Sequence, residues 1–379
     1  MPTHTDETTG RLIRQLTAVP TGATLAYFRM PRNLPDGRVI IHATHDGGGL
    51  MALEAESGDL SPLALPPGTL LRLRESDGLA WFWDAGTREL WEQLLPSGEA
   101  RLVATVPEDV AGGVQDLTGD GKTLIGATAE CEPSDINDIF SGDYRRMWRW
   151  IYRKRSATLW AYDVVSGERT ELVALPEHNI QHVDTSPEDP GLLKFAQDGL
   201  AVFDQRIHTV RTDGSDWHAI RPQASGEWIH HEFWWPQAAS SSHGEAIGFK
   251  YMDRRGDATL HEQPWGEYAP RPLQLGIANL RGEQVYLSDP LDHYHSHLNV
   301  SADARIVTGE GTHDHSFACA GLFDLKTTRL KLEPLATIHT PYVPAAAQGV
   351  ECHISPDSKW LLYNDTCDGV KQVCAVALD

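Results

Sequence analysis

Nowhere among its 379 residues does the chain hold the roughly 18–20 consecutive apolar residues that a bilayer-spanning helix needs. Cysteine is scarce. The five present, Cys131, Cys319, Cys352, Cys367 and Cys374, are odd in number and follow no framework spacing, so they read as free thiols in a reducing cytoplasm. Positive charge is short as well: 32 Lys and Arg against 53 Asp and Glu leave a formal net charge of −21. That balance argues against a nucleic-acid partner, whose phosphates want a basic face, and against docking on a long polyanion. A small acidic ligand in a locally positive pocket stays open, because the local field decides there. The opening residues Met1 to Glu7 lack a basic start and an apolar core, so no secretory signal is expected. No phosphate-cradling glycine loop and no serine nucleophile elbow occurs.

What the chain has is a repeated phrase. An apolar stretch leads into a Ser-Pro-Asp-like turn and then a short hydrophobic strand. The clearest copy is His353-Ile354-Ser355-Pro356-Asp357-Ser358-Lys359-Trp360-Leu361-Leu362-Tyr363. Weaker copies begin at Leu34, Thr118, Ser186 and Val300. Self-similarity at roughly 40–50 residues with several strands per unit is the mark of propeller blades. Units start near residues 28, 75, 115, 182, 231, 297 and 351, which makes seven. The last unit has three strands only, while residues 11–18 look like the final strand of a blade. An N-terminal strand completing the last blade would close the ring and remove two exposed sheet edges. The expected architecture is therefore all-β, a single seven-bladed β-propeller over residues 11–379, with residues 1–10 flexible. A two-domain β-sandwich protein is the main competitor. One interruption stands out: residues 134–155 are basic and aromatic, with Ser134 or Asp135 able to cap a helix. This insertion is either a helix packed on a blade edge or at a dimer contact, or an acid-binding lid in which Arg145 and Arg146 touch the substrate.

Polar residues cluster at four places: His230-His231-Glu232-Phe233-Trp234-Trp235-Pro236, His293-Tyr294-His295-Ser296-His297-Leu298, Gln348-Gly349-Val350-Glu351-Cys352-His353, and His313-Asp314-His315. On a strand, period two places alternate residues on one face, so His293, His295 and His297 should share a face, as should Glu351 and His353. The innermost strands of a propeller line one channel and bring distant residues together. Imidazole with carboxylate or amide oxygen suits a borderline divalent ion.

These segments resemble the oligogalacturonate lyases, cytoplasmic seven-bladed propellers that cleave short uronate oligomers by β-elimination. His231-Glu232-Phe233-Trp234-x-Pro236 is similar to the family's His-Glu-Phe-Trp motif, and Arg206 stands 25 residues upstream of it, at the family's spacing for its functional arginine. Ser296-His297-Leu298 matches the family's Ser-His-Leu, and Gly309-Glu310-Gly311 falls where the family has Gly-Asp-Gly. Arg14-Gln15-Leu16-Thr17 and Tyr27-Phe28 fit too. One departure concerns the metal ligands. The family has Gln, then His three residues on, then His two further; here Gln348, Glu351 and His353 keep that spacing with a carboxylate in the middle. Aligning on the following turn instead sets Glu351 at the last His.

The resemblance implies a divalent metal, manganese first with Zn, Fe, Co or Ca as alternatives, held by His297, Gln348, Glu351 and His353. It also implies His231 and Arg206 at the reacting centre. On chemical grounds His231 suits the base and Arg206 the stabiliser of developing charge, with the reverse assignment open. His182, at the equivalent point of its own blade, and His295 are candidates for substrate contact. The expected partner is a small acidic oligosaccharide, with no nucleic acid and no membrane, for a monomer or homodimer in the cytoplasm. Two rivals stand beside this reading: a metal-dependent propeller hydrolase or epimerase, and a non-catalytic binding propeller.

Overall fold

The structure is a computed structural model that describes residues 1–27, 30–43, 49–110, 112–129, 156–198, 204–236, 245–257, 272–312, 315–340 and 349–378. The insertion expected at 134–155, with Arg145 and Arg146, lies outside the described residues, as do Gln348, His313 and Asp314.

Seven antiparallel sheets follow one another along the chain, six of four strands and one of five. They form the blades of a seven-bladed β-propeller, with no helix among the described residues. The innermost strands of blades 1 to 7 are Ala23–Leu25, Thr69–Arg74, Val114–Leu117, Asn179–Thr185, Glu227–Trp235, Leu298–Val300 and His353–Ile354. Within blades 1 to 6 the strands pair in sequence order, so each sheet is a meander built from tight turns.

The repeated turn has a local cause. In blades 3, 6 and 7 the first turn residue, Thr118, Ser301 or Ser355, donates its hydroxyl to Asp120, Asp303 or Asp357 two residues on, at 2.6–2.7 Å. The same hydroxyl oxygen accepts the backbone N–H of Thr123, Ile306 or Trp360 at 3.0 Å. This closes the corner from inner to second strand with side-chain bonds in place of ladder bonds. Apolar side chains on both faces of each blade then pack against the next blade. One such cluster joins Phe233 and Trp235 of blade 5 to Leu298, Val307 and Cys319 of blade 6.

Blade 7 is the composite one. Its strands His353–Ile354, Trp360–Cys367 and Val370–Ala377 are followed by Leu12–Gln15 from the other end of the chain. Ile13 pairs with Val376, Arg14 with Ala375 and Gln15 with Cys374. Thr17 donates to the buried Gln372 side chain at 2.7 Å, and Gln372 donates to the carbonyl of Val19 at 2.7 Å. The first ten residues, expected to be flexible, continue this sheet: Thr3–Thr5 pair with Leu12–Gln15 as an outer fifth strand. Asp6 anchors the turn between them by accepting the N–H groups of Thr8, Thr9 and Thr337. Burial pushes its carboxyl up, but those hydrogen bonds outweigh it and hold the pKa at about 2. Removing residues 1–19 would expose the Val370–Ala377 edge and strip the cover from Leu362 and Val373. The expected result is a loss of several kcal/mol, on the order of two or more buried aliphatic side chains, visible as a lowered urea midpoint. A truncated chain with the full-length midpoint would refute closure as a source of stability.

Candidate functional site

Blades 4 and 5 carry a backbone irregularity in their inner strands, and blade 7 carries one just before its inner strand. His182, His231 and Glu351 all have left-handed φ, at 50°, 51° and 51°. In blades 4 and 5 the ladder register shifts at the same place, between Gln181 and Asp184 and between His230 and Phe233. A left-handed non-glycine residue costs of order 1–3 kcal/mol and persists only where surrounding structure over-determines it. Here it turns one side chain per blade out of the pleat. Three equivalent positions on separate blades are thereby brought to one region.

There the rings of His231 and His297 lie 4.6 Å apart between centroids. Tyr27, just past the inner strand of blade 1, stands edge-on to His297 at 5.1 Å and to His182 at 6.4 Å. His230 stacks on Trp228 at 5.1 Å and meets the edge of His231 at 4.4 Å. Burial, followed by the charge of Lys250 and neighbouring imidazoles, holds His231 well below the ordinary imidazole range, so its ring is neutral near pH 7. His297 goes the other way. Burial pushes its pKa down, but Glu310 and Glu351 more than offset that and the net direction is up.

Donor atoms of His297, Glu310 and Glu351 all lie within 4.8 Å of one another. Nδ1 of His297 is in hydrogen-bond contact with Oε1 of Glu310. Both glutamates are almost fully buried, with relative exposures of 1% and 2%. Gly349 borders the cluster: a Cβ there would make ordinary contact with Oε1 of each glutamate at 3.4 Å and with Cε1 of His297 at 3.9 Å. Two buried carboxylates side by side repel unless a cation is shared between them. Arg32 and Lys371 supply part of that charge. One imidazole and two carboxylates around a small polar gap fit a divalent ion that accepts mixed nitrogen and oxygen donors.

Arg206, directly before the third strand of blade 4, is 1% exposed and donates through Nε to Oε2 of Glu232 at 2.7 Å. Glu232 is fully buried, and its other oxygen lies 3.6 Å from Nδ1 of His182. Burial raises the Glu232 carboxyl, but Arg206, His182 and Lys194 outweigh it and bring the pKa down to about 2. The Arg206 to His231 spacing thus meets through the one residue, Glu232, that follows His231.

Other sequence candidates lie elsewhere. The segment 293–297 is not a strand, since the inner strand of blade 6 starts at Leu298, so the period-two argument does not apply to it. His293 stacks on His315 with centroids 3.6 Å apart. His295 is buried, 5.9 Å from the His315 ring and against Gly309, and burial takes its pKa to about 3. Only His297 of the three reaches the cluster. Glu351 precedes the inner strand His353–Ile354 and has a left-handed backbone, so the alternation argument does not apply to that pair either. His353 donates from Nε2 to Oδ1 of Asn33 at 2.9 Å and lines a cavity of ≈ 700 Å³ beside the Ser186-Pro187 and Ser355-Pro356 turns. A second cavity, of ≈ 480 Å³, lies beside His182 and is lined by Tyr27, Gln115, Asn179 and Gln181.

Sequence reasoning left out Glu310 as a donor, although its place between two glycines was noticed. It also left out Lys194 and Lys250. Both stand alone in apolar strands, Leu192-Leu193-Lys194-Phe195 and Gly248-Phe249-Lys250-Tyr251, and an ammonium buried in such a run requires polar partners.

No protein-family model matches the chain. An oligogalacturonide lyase of Pectobacterium atrosepticum is 22% identical over 308 residues, covering 76% of this chain and 72% of that one. A solved oligogalacturonate lyase in complex with manganese superposes with a TM-score of 0.76 at 19% identity, over 100% of this chain and 96% of the other. The oligogalacturonate lyase of Vibrio parahaemolyticus superposes with a TM-score of 0.75 at 18% identity and the same coverage.

Proposed function

We propose that this chain, which carries the fold of the oligogalacturonate lyases over its whole length, is a metal-dependent lyase that cleaves a uronate-containing oligosaccharide by β-elimination. The observation that carries the reading is the contact of a neutral buried imidazole, His231, with the His297–Glu310–Glu351 donor set.

Elimination removes the proton on C5, alpha to the uronate carboxylate, forms a C4=C5 double bond as the C4–O4 bond breaks, and leaves the departing O4 to take up a proton. His297, Glu310 and Glu351 would hold the ion, with Gln348 as a further donor from the resemblance. His353 is left to its bond with Asn33. A bound divalent ion, manganese first, supplies Lewis-acid neutralisation of the substrate carboxylate. His231, uncharged at neutral pH, accepts the C5 proton. Arg206 stays protonated in nearly any setting and supplies positive field for the charge that develops. Glu232 orients Arg206 and, through its second oxygen, faces His182, which we assign to substrate contact. The carboxylate-rich donor set sets this chain apart from the His-rich pattern of the resemblance, and the substrate need not be plain oligogalacturonate. The buried thiols Cys319, Cys352 and Cys374 support placing the protein in the cytoplasm.

The test is a panel of uronate oligosaccharides followed by ultraviolet absorbance, with metal content measured on the same sample. Elimination creates a conjugated unsaturated uronate and hydrolysis does not. Absorbance must rise with the metal-loaded protein and stop on exhaustive chelation. Glu351→Gln and Glu310→Gln are each expected to weaken Mn²⁺ binding by at least about tenfold in calorimetry, the lower end of what loss of a supporting group costs. Full activity after chelation, or Mn²⁺ affinity unchanged in both variants, would remove the metal from the mechanism.

A further inference from the structure

Successive blades meet through apolar faces. Such contact is strong but non-directional and leaves small rotations between blades weakly opposed. A site assembled from five blades needs its groups held to about 0.5 Å. Four buried polar side chains answer that need in the same way. Each sits on the second strand of one blade and reaches the backbone of the next blade beside a site residue. Lys194 of blade 4 donates to the carbonyl of Glu232 in blade 5 at 3.4 Å, next to His231. Lys250 of blade 5 donates to the carbonyls of His295 and Ser296 at 3.1 and 2.5 Å, directly before His297. In blade 6, Glu310 accepts the N–H of Cys352 at 3.3 Å, next to Glu351. In blade 7, Asn364 accepts the N–H of Leu25 in blade 1 at 2.8 Å, two residues before Tyr27. All four are at most 1% exposed.

We infer that these four residues are interblade struts that fix the spacing of His231, His297, Glu351 and Tyr27. Lys194, Lys250 and Asn364 are positioning residues that act through the backbone of the neighbouring blade, and Glu310 does so with one oxygen while the other faces His297 in the donor cluster. Lys250 is the strongest case. Its ammonium also donates to the hydroxyl oxygen of Tyr294 at 3.1 Å and lies 5.3 Å over the Trp228 ring, so it ties the strand that carries His231 to the segment that delivers His297. Charge-assisted bonds to buried carbonyls are directional and costly to break, which apolar packing alone is not.

The inference deepens the proposed lyase site but is tested without relying on it. Full-length chain labelled with ¹⁵N in its histidine rings is compared metal-free, with the His231 and His297 signals assigned by their loss in alanine variants. Lys250→Met is expected to displace the His297 ring signal. Lys194→Met should displace that of His231 and leave that of His297 in place. With Mn²⁺ alone as ligand, Lys250→Met should weaken binding about 10- to 100-fold, as loss of a supporting partner does. Lys250→Arg, which keeps charge and donors, should recover most of it. A folded Lys250→Met with wild-type His297 signal overturns the inference. If Lys250→Met does not fold, Lys250→Gln is read by the same signal with the same consequence. Wild-type protein that binds no Mn²⁺ would overturn the metal reading, while the metal-free ring signals still decide the struts.

Discussion

Replacing His231 by alanine is expected to cut kcat by about 10²–10⁴-fold while Mn²⁺ affinity and the fold persist. The ring touches His297 but is not among the mutually close donor atoms of the metal cluster, so its removal takes away a base and leaves the donors. Its neutrality is built in by burial and by Lys250, which makes it a proton acceptor near pH 7. The backbone supplies a second readout. His231 has φ of 51°, a conformation that strains alanine and suits glycine. His231→Gly should therefore unfold at higher urea than His231→Ala, by about 1 kcal/mol, although both lack the base. Turnover of His231→Ala at the wild-type rate would sink the assignment. Loss of metal in that variant would move His231 from base to ligand.

Arg206→Ala should act on the fold as well as on turnover. Removing the guanidinium leaves Glu232 buried beside Lys194 and His182 without its closest counter-charge, and breaking a buried pair from one side typically costs about 3–5 kcal/mol. The pH dependence has a defined sign. In the intact protein Glu232 titrates at about 2, below an unfolded carboxyl near 4.3, so its stabilisation is present above the unfolded value and is lost as pH falls toward about 2. Without Arg206 the upward push of burial is opposed less, and the carboxyl binds its proton more readily in the folded state. The stability deficit of Arg206→Ala is then largest at neutral pH and narrows on acidification. Urea titrations at neutral pH and near pH 4 would show it. A deficit that does not change with pH would mean that Glu232 is not the residue left stranded. Arg206→Lys restores a charge but not the planar fork, so stability should return further than turnover.

The blade count and the pairing of the chain's two ends were legible because both rest on local chemistry. The Ser or Thr and Asp of each turn write the same hydrogen bonds into several copies. The three-strand last blade and the strand-like residues near Arg14 also needed each other. His231, Arg206, His297 and Glu351 entered the candidate site through the family resemblance, and the fold brings them near one another. The alternation argument for Glu351 and His353 does not hold, because it assumes an unbroken pleat and Glu351 is left-handed and outside the strand. His293 and His295 misled for a related reason, as their segment has no ladder to impose a face. Glu310, Lys194 and Lys250 act across blades, from one second strand to the next inner strand. That relation appears only when the ring is closed.

Ring closure by Leu12–Gln15 has a consequence for how the protein is made. Leu12–Gln15 can meet its cross-ring partner only after all the intervening blades and Val370–Ala377 have been made. Until then Leu12–Gln15 has Thr3–Thr5 on one side only, its other edge is open to wrong partners, and the ring stands as an open arc. Glu351 belongs to the composite blade and Tyr27 to the blade beside it. The candidate site is therefore unfinished until Val370–Ala377 has met Leu12–Gln15.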